Sequence, residues 1–266
     1  MTTAILSAED LVKRYRVPGR RDPLIAVDGV SLSISPGEIV GVVGESGSGK
    51  STVSRMLVGI EPATSGTVRH GDAAVHSTAQ WRALREDVQY VFQDPYGSLA
   101  PHLTVRQTVG DALDLRRRGT AGERNERVAT ALERVGLRAE DGRSYPGVFS
   151  GGQRQRISLA RALVMEPRLI ICDEIVSGLD VSVQAQILNL LLELRERLDV
   201  AYVFVSHDLR VVKYLSDRVL VMHDGHIVEQ GEAAAVFEDP QHEYTKTLLA
   251  SLPAFTPGHF VPRVAS

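Results

Sequence analysis

The segment Gly44-Glu-Ser-Gly-Ser-Gly-Lys-Ser51 has the residue types and spacing of a phosphate-binding loop. Its glycines let a backbone approach phosphate oxygens without clashes from β-carbons, and N–H groups at a helix start point towards such an anion. Lys50 would bridge the β- and γ-phosphates of a nucleotide, and Ser51 would give its hydroxyl to Mg²⁺. An apolar run at 38–43 and a helical pattern at 51–60 supply the strand–loop–helix context that the motif requires. The sequence therefore predicts a nucleotide site here.

Two acidic residues, Asp173 and Glu174, follow a second apolar run at 169–172. At the carboxyl end of a buried strand, Asp173 would hold Mg²⁺ directly or through water, and Glu174 would act as a general base on the attacking water. Two acids after an apolar run are, taken alone, better explained as a solvated strand end. The phosphate loop favours the metal site, because such a loop requires a magnesium carboxylate on a neighbouring strand.

Gln93 and His207 each follow a predicted strand. The Gln93 amide could reach the metal or the water, and its place at the start of a helical segment favours that role. His207 could donate a hydrogen bond to the γ-phosphate, although a lone histidine after a strand is more often structural. We predict Cys172 to be an ordinary buried side chain and not a nucleophile.

A second glycine motif, Ser150-Gly151-Gly152-Gln153, lies about a hundred residues after the phosphate loop. With it, the ordered motifs resemble those of ABC transporter ATPases over roughly residues 5–250. The motifs that carry this resemblance are residues 44–52, Gln93, Ser150-Gly151-Gly152-Gln153, Asp173-Glu174, Ser177-Gly178-Leu179-Asp180 and His207.

The resemblance implies a role for each matching residue. ATP would be bound by Gly44, Glu45, Ser46, Gly47, Ser48, Gly49, Lys50, Ser51 and Thr52, with Tyr15 stacked on adenine. Ser51, Gln93 and Asp173 would hold Mg²⁺, and Glu174, His207 and Gln93 would be catalytic. Residues 150–153 would act on ATP held by a partner subunit, and Asp180 would lie in the D-loop at the dimer seam. Ordinary strand packing is the alternative for Tyr15.

The expected fold is α/β: a P-loop, RecA-like core with an N-terminal antiparallel β-subdomain and an inserted α-helical lobe. Residues 1–250 would form the ATPase domain, with the core and β-subdomain at 1–95 and 165–232, the lobe at 96–164 and a short helical tail at 233–266. Helical spacing at 111–116 and 127–135 indicates the lobe, with Gly119 and Gly122 as breakers between these helices. A hairpin is predicted at 217–229, turning at Asp224-Gly225.

Composition sets limits on function. The 266 residues are 43% hydrophobic and 24% charged, as in an ordinary soluble domain. A net charge of −3 argues against bulk nucleic-acid binding, and the basic run 116–118 is interpreted as a solvated helix face. The single cysteine fits a reducing cytosol. We find no signal peptide or membrane span in the sequence, so any membrane role would come through partners at the cytoplasmic face.

Residues 91–101, 180–186 and 244–249 look like those of the oligopeptide, dipeptide and nickel importer ATPases. This resemblance implies three kinds of partner: a second ATPase subunit, usually a paralogue but possibly identical; two permease subunits; and an extracytoplasmic binding protein. Ile175 stands where the family usually has proline, and Gly178 where it usually has alanine. The function that the resemblance implies is that of the ATP-hydrolysing subunit of an ABC importer, which couples ATP binding and hydrolysis to uptake of a small substrate such as peptides or nickel. The alternative function is a soluble ABC ATPase that acts on DNA or ribosomes. His223 and His226 are interpreted as solvated turn residues, not metal ligands.

Overall fold

A computed structural model describes residues 3–19, 22–94, 97 and 99–251, and it places two sheets in this part of the chain. Their strands are β1 (Leu6–Tyr15), β2 (Leu24–Ile34), β3 (Ile39–Val43), β4 (Ser65–His70), β5 (Ala73–Ala74), β6 (Val88–Val91), β7 (Leu169–Asp173), β8 (Ala201–Val205), β9 (Arg218–His223) and β10 (His226–Glu232). The helices are α1 (Lys50–Leu57), α2 (Thr78–Asp87), α3 (Val105–Leu115), α4 (Ala121–Arg134), α5 (Gly151–Leu163), α6 (Val181–Leu198), α7 (Leu209–Leu215), α8 (Ala233–Glu238) and α9 (Glu243–Ala250).

The central sheet has six strands in the order β10-β9-β3-β8-β7-β6. All neighbours pair in parallel except β9 and β10, which form the hairpin predicted at Asp224-Gly225. Both faces of the sheet are buried: on β7, Leu169 and Ile171 face one hydrophobic core and Ile170 and Cys172 face the other. Continuous apolar runs are therefore what these strands require.

The second sheet is antiparallel, with the order β2-β1-β4-β5. Its buried residues Leu6, Leu11 and Val27 share one core with Val53 and with the adjacent face of the central sheet. The predicted N-terminal antiparallel β-subdomain and α/β core are therefore confirmed.

Helices α3, α4 and α5 lie between β6 and β7 and pack through Val109, Val128, Leu132 and Ile157. They confirm the helical spacing, while the boundaries 96 and 164 of the lobe stay a prediction. Gly122 was wrongly predicted as a breaker, because it lies in the first turn of α4. That turn is stabilised by a capping box, so a glycine near its start is tolerated.

Two features of the first half of the chain differ from the sequence predictions. Helix α2 was not predicted, although Ser77 and Gln80 have capping-box spacing and form that box. The run at 116–118 is not simply a solvated face, because Arg116 and Arg118 both pair with Glu86 at the end of α2.

The C-terminal part of the chain returns to the central sheet. Helices α8 and α9 lie within the predicted tail, whose residues 252–266 lie outside the described residues. Val236 of α8 is buried in the core that also holds Val219 of β9. Among the described helices, none combines the length and apolar character needed to cross a membrane.

Candidate active site

Four parallel strands of the central sheet end at one edge, and the predicted catalytic and phosphate-binding residues follow them. The phosphate loop follows β3, Gln93 follows β6, Asp173 ends β7 with Glu174 next to it, and His207 follows β8. Parallel strands bring their carboxyl ends to the same side of a sheet, so residues far apart in sequence converge there.

The phosphate loop is packed too closely for side chains at Gly44 and Gly49. A β-carbon on Gly44 would lie 2.1 Å from the Met222 carbonyl oxygen, and one on Gly49 would lie 2.4 Å from that of Ala26. Both residues also have positive φ, 148° and 100°. Glycine is therefore required at both positions by the protein's own backbone, independently of any nucleotide.

Lys50, the first residue of α1, is buried against this loop. Its ammonium donates hydrogen bonds to the carbonyl oxygens of Gly44 at 2.8 Å and Glu45 at 2.6 Å. Burial lowers the pKa of Lys50, while the negative charges of Glu174 and Asp173 oppose that shift. The cation is thus held at the loop, facing the two acidic residues of the site.

Asp173 is 1% exposed, and donors hold both of its carboxylate oxygens. The Ser51 hydroxyl donates to Oδ1 at 2.8 Å, and the Tyr90 hydroxyl donates to Oδ2 at 2.6 Å. The Arg55 guanidinium is 3.7 Å from Oδ2. Burial, followed by the charge of Asp173, raises the pKa of the Tyr90 phenol, which therefore stays protonated as the donor.

Ser51 and Asp173 together fit the requirements of Mg²⁺. The Ser51 proton points to Asp173, which leaves the hydroxyl lone pairs available to a cation. Mg²⁺ prefers oxygen ligands and is usually bound through one or two protein groups together with substrate phosphates. Among the described residues no cluster of three or more His, Cys, Asp or Glu is placed to hold a metal.

Glu174 brings the other predicted catalytic residues together. Gln93 Nε2 donates to Glu174 Oε2 at 2.8 Å, and His207 Nδ1 lies 3.5 Å from the same oxygen. Glu174 has φ 51°, a left-handed conformation that few non-glycine residues adopt. Its amide donates to Val205 at 2.9 Å, and Ser177 Oγ donates to its carbonyl at 2.7 Å. The turn is therefore fixed at both ends, although Ile175 and not a proline follows Glu174.

The second glycine motif, residues 150–153 (the signature motif), lies beside the predicted D-loop, residues 177–180. Ser150 caps α5, and its N–H donates to Gln153 Oε1 at 3.0 Å, so Ser-x-x-Gln forms a capping box. A β-carbon on Gly151 would lie 3.6 Å from Leu179 in the D-loop. Asp180 caps α6 and accepts from the Val183 amide at 3.0 Å. The described hydrogen bonds of Ser150 and Gln153 remain within this helix start.

Tyr15 lies at the end of β1, in the antiparallel sheet, and is half-buried. It pairs with Leu24 on β2, and two residues further along that strand the Ala26 carbonyl lies against Gly49 of the phosphate loop. The Lys13 ammonium lies 4.9 Å from the centre of the tyrosine ring. This placement brings Tyr15 to the side of the loop, and its contact with adenine stays a prediction.

Two tyrosines of the site were missed by sequence reasoning. Tyr90 carries no motif signal beyond its position three residues before Gln93. Tyr244 was noted only as a subfamily residue, yet its hydroxyl accepts a hydrogen bond from the Glu45 amide at 3.1 Å. Its ring stacks on His223 with centroids 3.8 Å apart, so His223 is not the freely solvated turn residue that the sequence suggested.

Comparison with known families agrees with this geometry. Residues 27–177, more than half of the chain, match the model of the ABC transporter family. The chain belongs to the ABC transporter family. Residues 228–263 match a second model, the C-terminal region of oligopeptide/dipeptide transporters. This second match covers the helices that carry Tyr244 back to the phosphate loop.

Curated relatives of this ABC protein include import proteins. A putative peptide import ATP-binding protein of Brucella abortus is 47% identical over 256 residues, covering 94% of this chain and 77% of the relative. The glutathione import ATP-binding protein GsiA of Salmonella typhimurium is 48% identical over 240 residues, covering 90% of this chain and 38% of the relative.

Solved ABC structures share the fold. The protein cbiO1 from Clostridium perfringens, part of the transporter complex cbiONQ, has a TM-score of 0.79 at 31% identity, covering 89% of this chain and 92% of that one. The dimeric ATP-binding cassette MJ0796, bound to ADP and Pi, has a TM-score of 0.76 at 29% identity, covering 86% and 98%.

Proposed function

We propose that the chain is the ATP-hydrolysing subunit of an ABC importer for peptides. One observation carries the proposal: the phosphate loop, Asp173 and the Glu174 cluster meet at one sheet edge in a chain of this family. The names of the relatives favour peptides over nickel as cargo, since they specify peptide and glutathione import. They give no support to a soluble ATPase that acts on DNA or ribosomes.

In this proposal the loop residues 44–52 surround the phosphates of ATP, and Lys50 balances their charge. Tyr15 stacks on adenine. Ser51 and Asp173, with Gln93, would hold Mg²⁺, which would neutralise charge on the β- and γ-phosphates. The assignments of Lys50, Ser51 and Asp173 rest on the contacts described above, and those of Tyr15 and Gln93 rest on the resemblance to the family.

Glu174 orients a water molecule towards the γ-phosphate and accepts its proton as the new oxygen–phosphorus bond forms and ADP leaves. Gln93 and His207 both lie at Glu174 Oε2, so they keep its carboxylate in one orientation. His207 is the group we assign to the γ-phosphate. Its side chain is 60% exposed, which leaves it free to reach a substrate.

The signature residues Ser150, Gly151, Gly152 and Gln153 act on ATP held by a second ATPase subunit, and Asp180 lies at the seam between the two. The N–H groups at the start of α5 then face the phosphates across the dimer. Binding of ATP closes the dimer and hydrolysis opens it, as in a ligand-biased two-state switch.

The output of this switch is transport. The helical lobe between Gln93 and Ser150 passes the motion to two permease subunits, and an extracytoplasmic binding protein delivers the peptide. We place the chain at the cytoplasmic face of the membrane, bound peripherally through the permeases. Stable co-purification with hydrophobic subunits supports this, whereas a stable complex with ribosomes would defeat it.

The variant Glu174→Gln tests the hydrolytic assignment. We expect it to bind ATP, to accumulate closed dimers in ATP and to lose turnover by roughly 10²–10⁴-fold, the usual contribution of a general base. Glu196→Gln, an exposed change of the same chemistry on α6, is the matched control and should hydrolyse ATP normally. Normal steady-state turnover in Glu174→Gln would exclude the role assigned to this residue.

A further inference from the structure

Tyr90 lies on β6, beside the strand that carries Asp173. It pairs with Ile171 of β7, and from there its hydroxyl reaches Asp173 Oδ2 at 2.6 Å. The same hydroxyl lies 3.1 Å from Ser54 Oγ, one turn along α1 from Ser51. The phenol therefore connects β6, β7 and the helix that follows the phosphate loop.

The two oxygens of Asp173 are fixed by different elements. Ser51 on α1 holds Oδ1, and Tyr90 on β6 holds Oδ2. The next donor to Oδ2 is the Arg55 guanidinium at 3.7 Å, a longer contact from a side chain that is 44% exposed. Without the phenol, the carboxylate would be free to turn about its terminal bond towards Arg55, because such a torsion has a broad energy profile.

We propose that Tyr90 is a positioning residue that orients Asp173 for Mg²⁺. The inference rests on the proposed function, because it concerns the same metal site. Groups that hydrogen-bond to a ligating carboxylate orient it, and their loss typically lowers metal affinity by about 10–100-fold.

The same segment of chain supports both acids of the site. Tyr90 holds Asp173, and Gln93, three residues later, donates to Glu174. A displacement of β6 and its continuation would therefore move the orienting groups of the metal carboxylate and of the general base together. Tyr90 thus links the metal site to the junction at which the helical lobe begins.

The variant Tyr90→Phe removes the hydroxyl and keeps the ring, which packs on Phe92 with centroids 4.8 Å apart. Tyr202→Phe is the matched control. It also removes a buried phenol hydroxyl from the central sheet, but that hydroxyl finds no hydrogen-bond partner among the described residues. Thermal unfolding of both variants establishes that they are folded.

The decisive measurement is Mn²⁺ affinity in the full chain with a non-hydrolysable ATP analogue, from the electron paramagnetic resonance signal of free Mn²⁺. Analogue affinity is measured separately in EDTA. We expect Tyr90→Phe to lower Mn²⁺ affinity by about 10–100-fold and to keep metal-free nucleotide affinity. Excess Mg²⁺ should restore its turnover, and Tyr202→Phe should match the wild type throughout.

Two outcomes would overturn the inference. Mn²⁺ affinity within twofold of wild type in folded Tyr90→Phe would show that the hydroxyl does not position Asp173. An equal loss of metal-free nucleotide affinity would show a general structural defect instead. Failure of the proposed function gives a different result, because the wild type itself would then lack Mg²⁺-dependent ATP hydrolysis. Normal hydrolysis by the wild type, together with unchanged Mn²⁺ affinity in Tyr90→Phe, would overturn only the role of Tyr90.

Discussion

Gly152, in the signature motif, is required by the packing of its own subunit. A β-carbon at this buried position would lie 2.5 Å from Val183 Cγ1, well inside van der Waals contact. Val183 cannot easily turn away, because a β-branched side chain in a helix has one strongly preferred rotamer. Its amide is also held by the Asp180 carboxylate at the start of α6. We therefore expect Gly152→Ala to destabilise the fold as well as any contact with ATP.

The size of this effect follows from the overlap. Overpacking a well-packed site by one methyl group typically costs about 1–3 kcal/mol. A loss of about 2 kcal/mol corresponds to a decrease in Tm of roughly 4–8 °C for a chain of this size. Gly151→Ala is the matched control. Its β-carbon would lie 3.6 Å from Leu179, an ordinary contact, so its Tm should remain near that of the wild type.

The assay is thermal unfolding without nucleotide, so that phosphate contacts play no part. Adding Val183→Ala should recover most of the loss, and a double-mutant cycle gives the coupling energy between positions 152 and 183. If Gly152→Ala unfolds at the wild-type temperature, or if Val183→Ala brings no recovery, the steric reasoning is wrong. Any loss of ATPase activity in Gly152→Ala would then be explained only by a lost contact with ATP held by the partner subunit.

Two further predictions concern stability. Burial raises the pKa of Glu38, but hydrogen bonds from Arg218 and the Ser35 amide outweigh it and hold the pKa below its ordinary value. Its charged form therefore stabilises the fold fully above about pH 4.5, and this stabilisation is lost as the pH falls through the lowered pKa. In urea unfolding, the free energy of unfolding lost in Glu38→Gln should therefore be smaller at pH 3 than at pH 7. An equal loss at the two pH values would contradict this argument. Gly178 has φ 78° in open space, so Gly178→Ala, which restores the usual family residue, should cost about 1–2 kcal/mol of unfolding free energy. Gly147→Ala, also in open space, is its control, and equal Tm values for the two would refute the argument.

The sequence predicted those parts of the site that are local or that follow from sheet topology. The phosphate loop is one contiguous motif. Asp173 meets Ser51, 122 residues away, because Asp173 ends β7 and Ser51 follows the loop at the carboxyl end of β3, a parallel strand of the same sheet. Helix α2 was missed despite a usable signal, since Ser77 and Gln80 have capping-box spacing.

The contacts of Tyr90 and Gly152 depended on tertiary detail. Tyr90 reaches Asp173 because it pairs with Ile171 on the neighbouring strand. The register between two parallel strands cannot be predicted from the sequence of either strand alone. A single tyrosine in a strand is also ordinary. Gly152 is explained by a side chain on α6, and the distance between two helices cannot be obtained from a sequence pattern.

The contact between Tyr244 and the phosphate loop determines how far the chain must extend for the loop to keep all its described contacts. The Glu45 amide and the Tyr244 hydroxyl are 199 residues apart in sequence and 3.1 Å apart in space. The ring of Tyr244 also covers one face of His223. A fragment ending with β10 would therefore leave a loop amide and an aromatic face open to water. The tail therefore packs against the phosphate loop, and a fragment that keeps this contact must extend through α9.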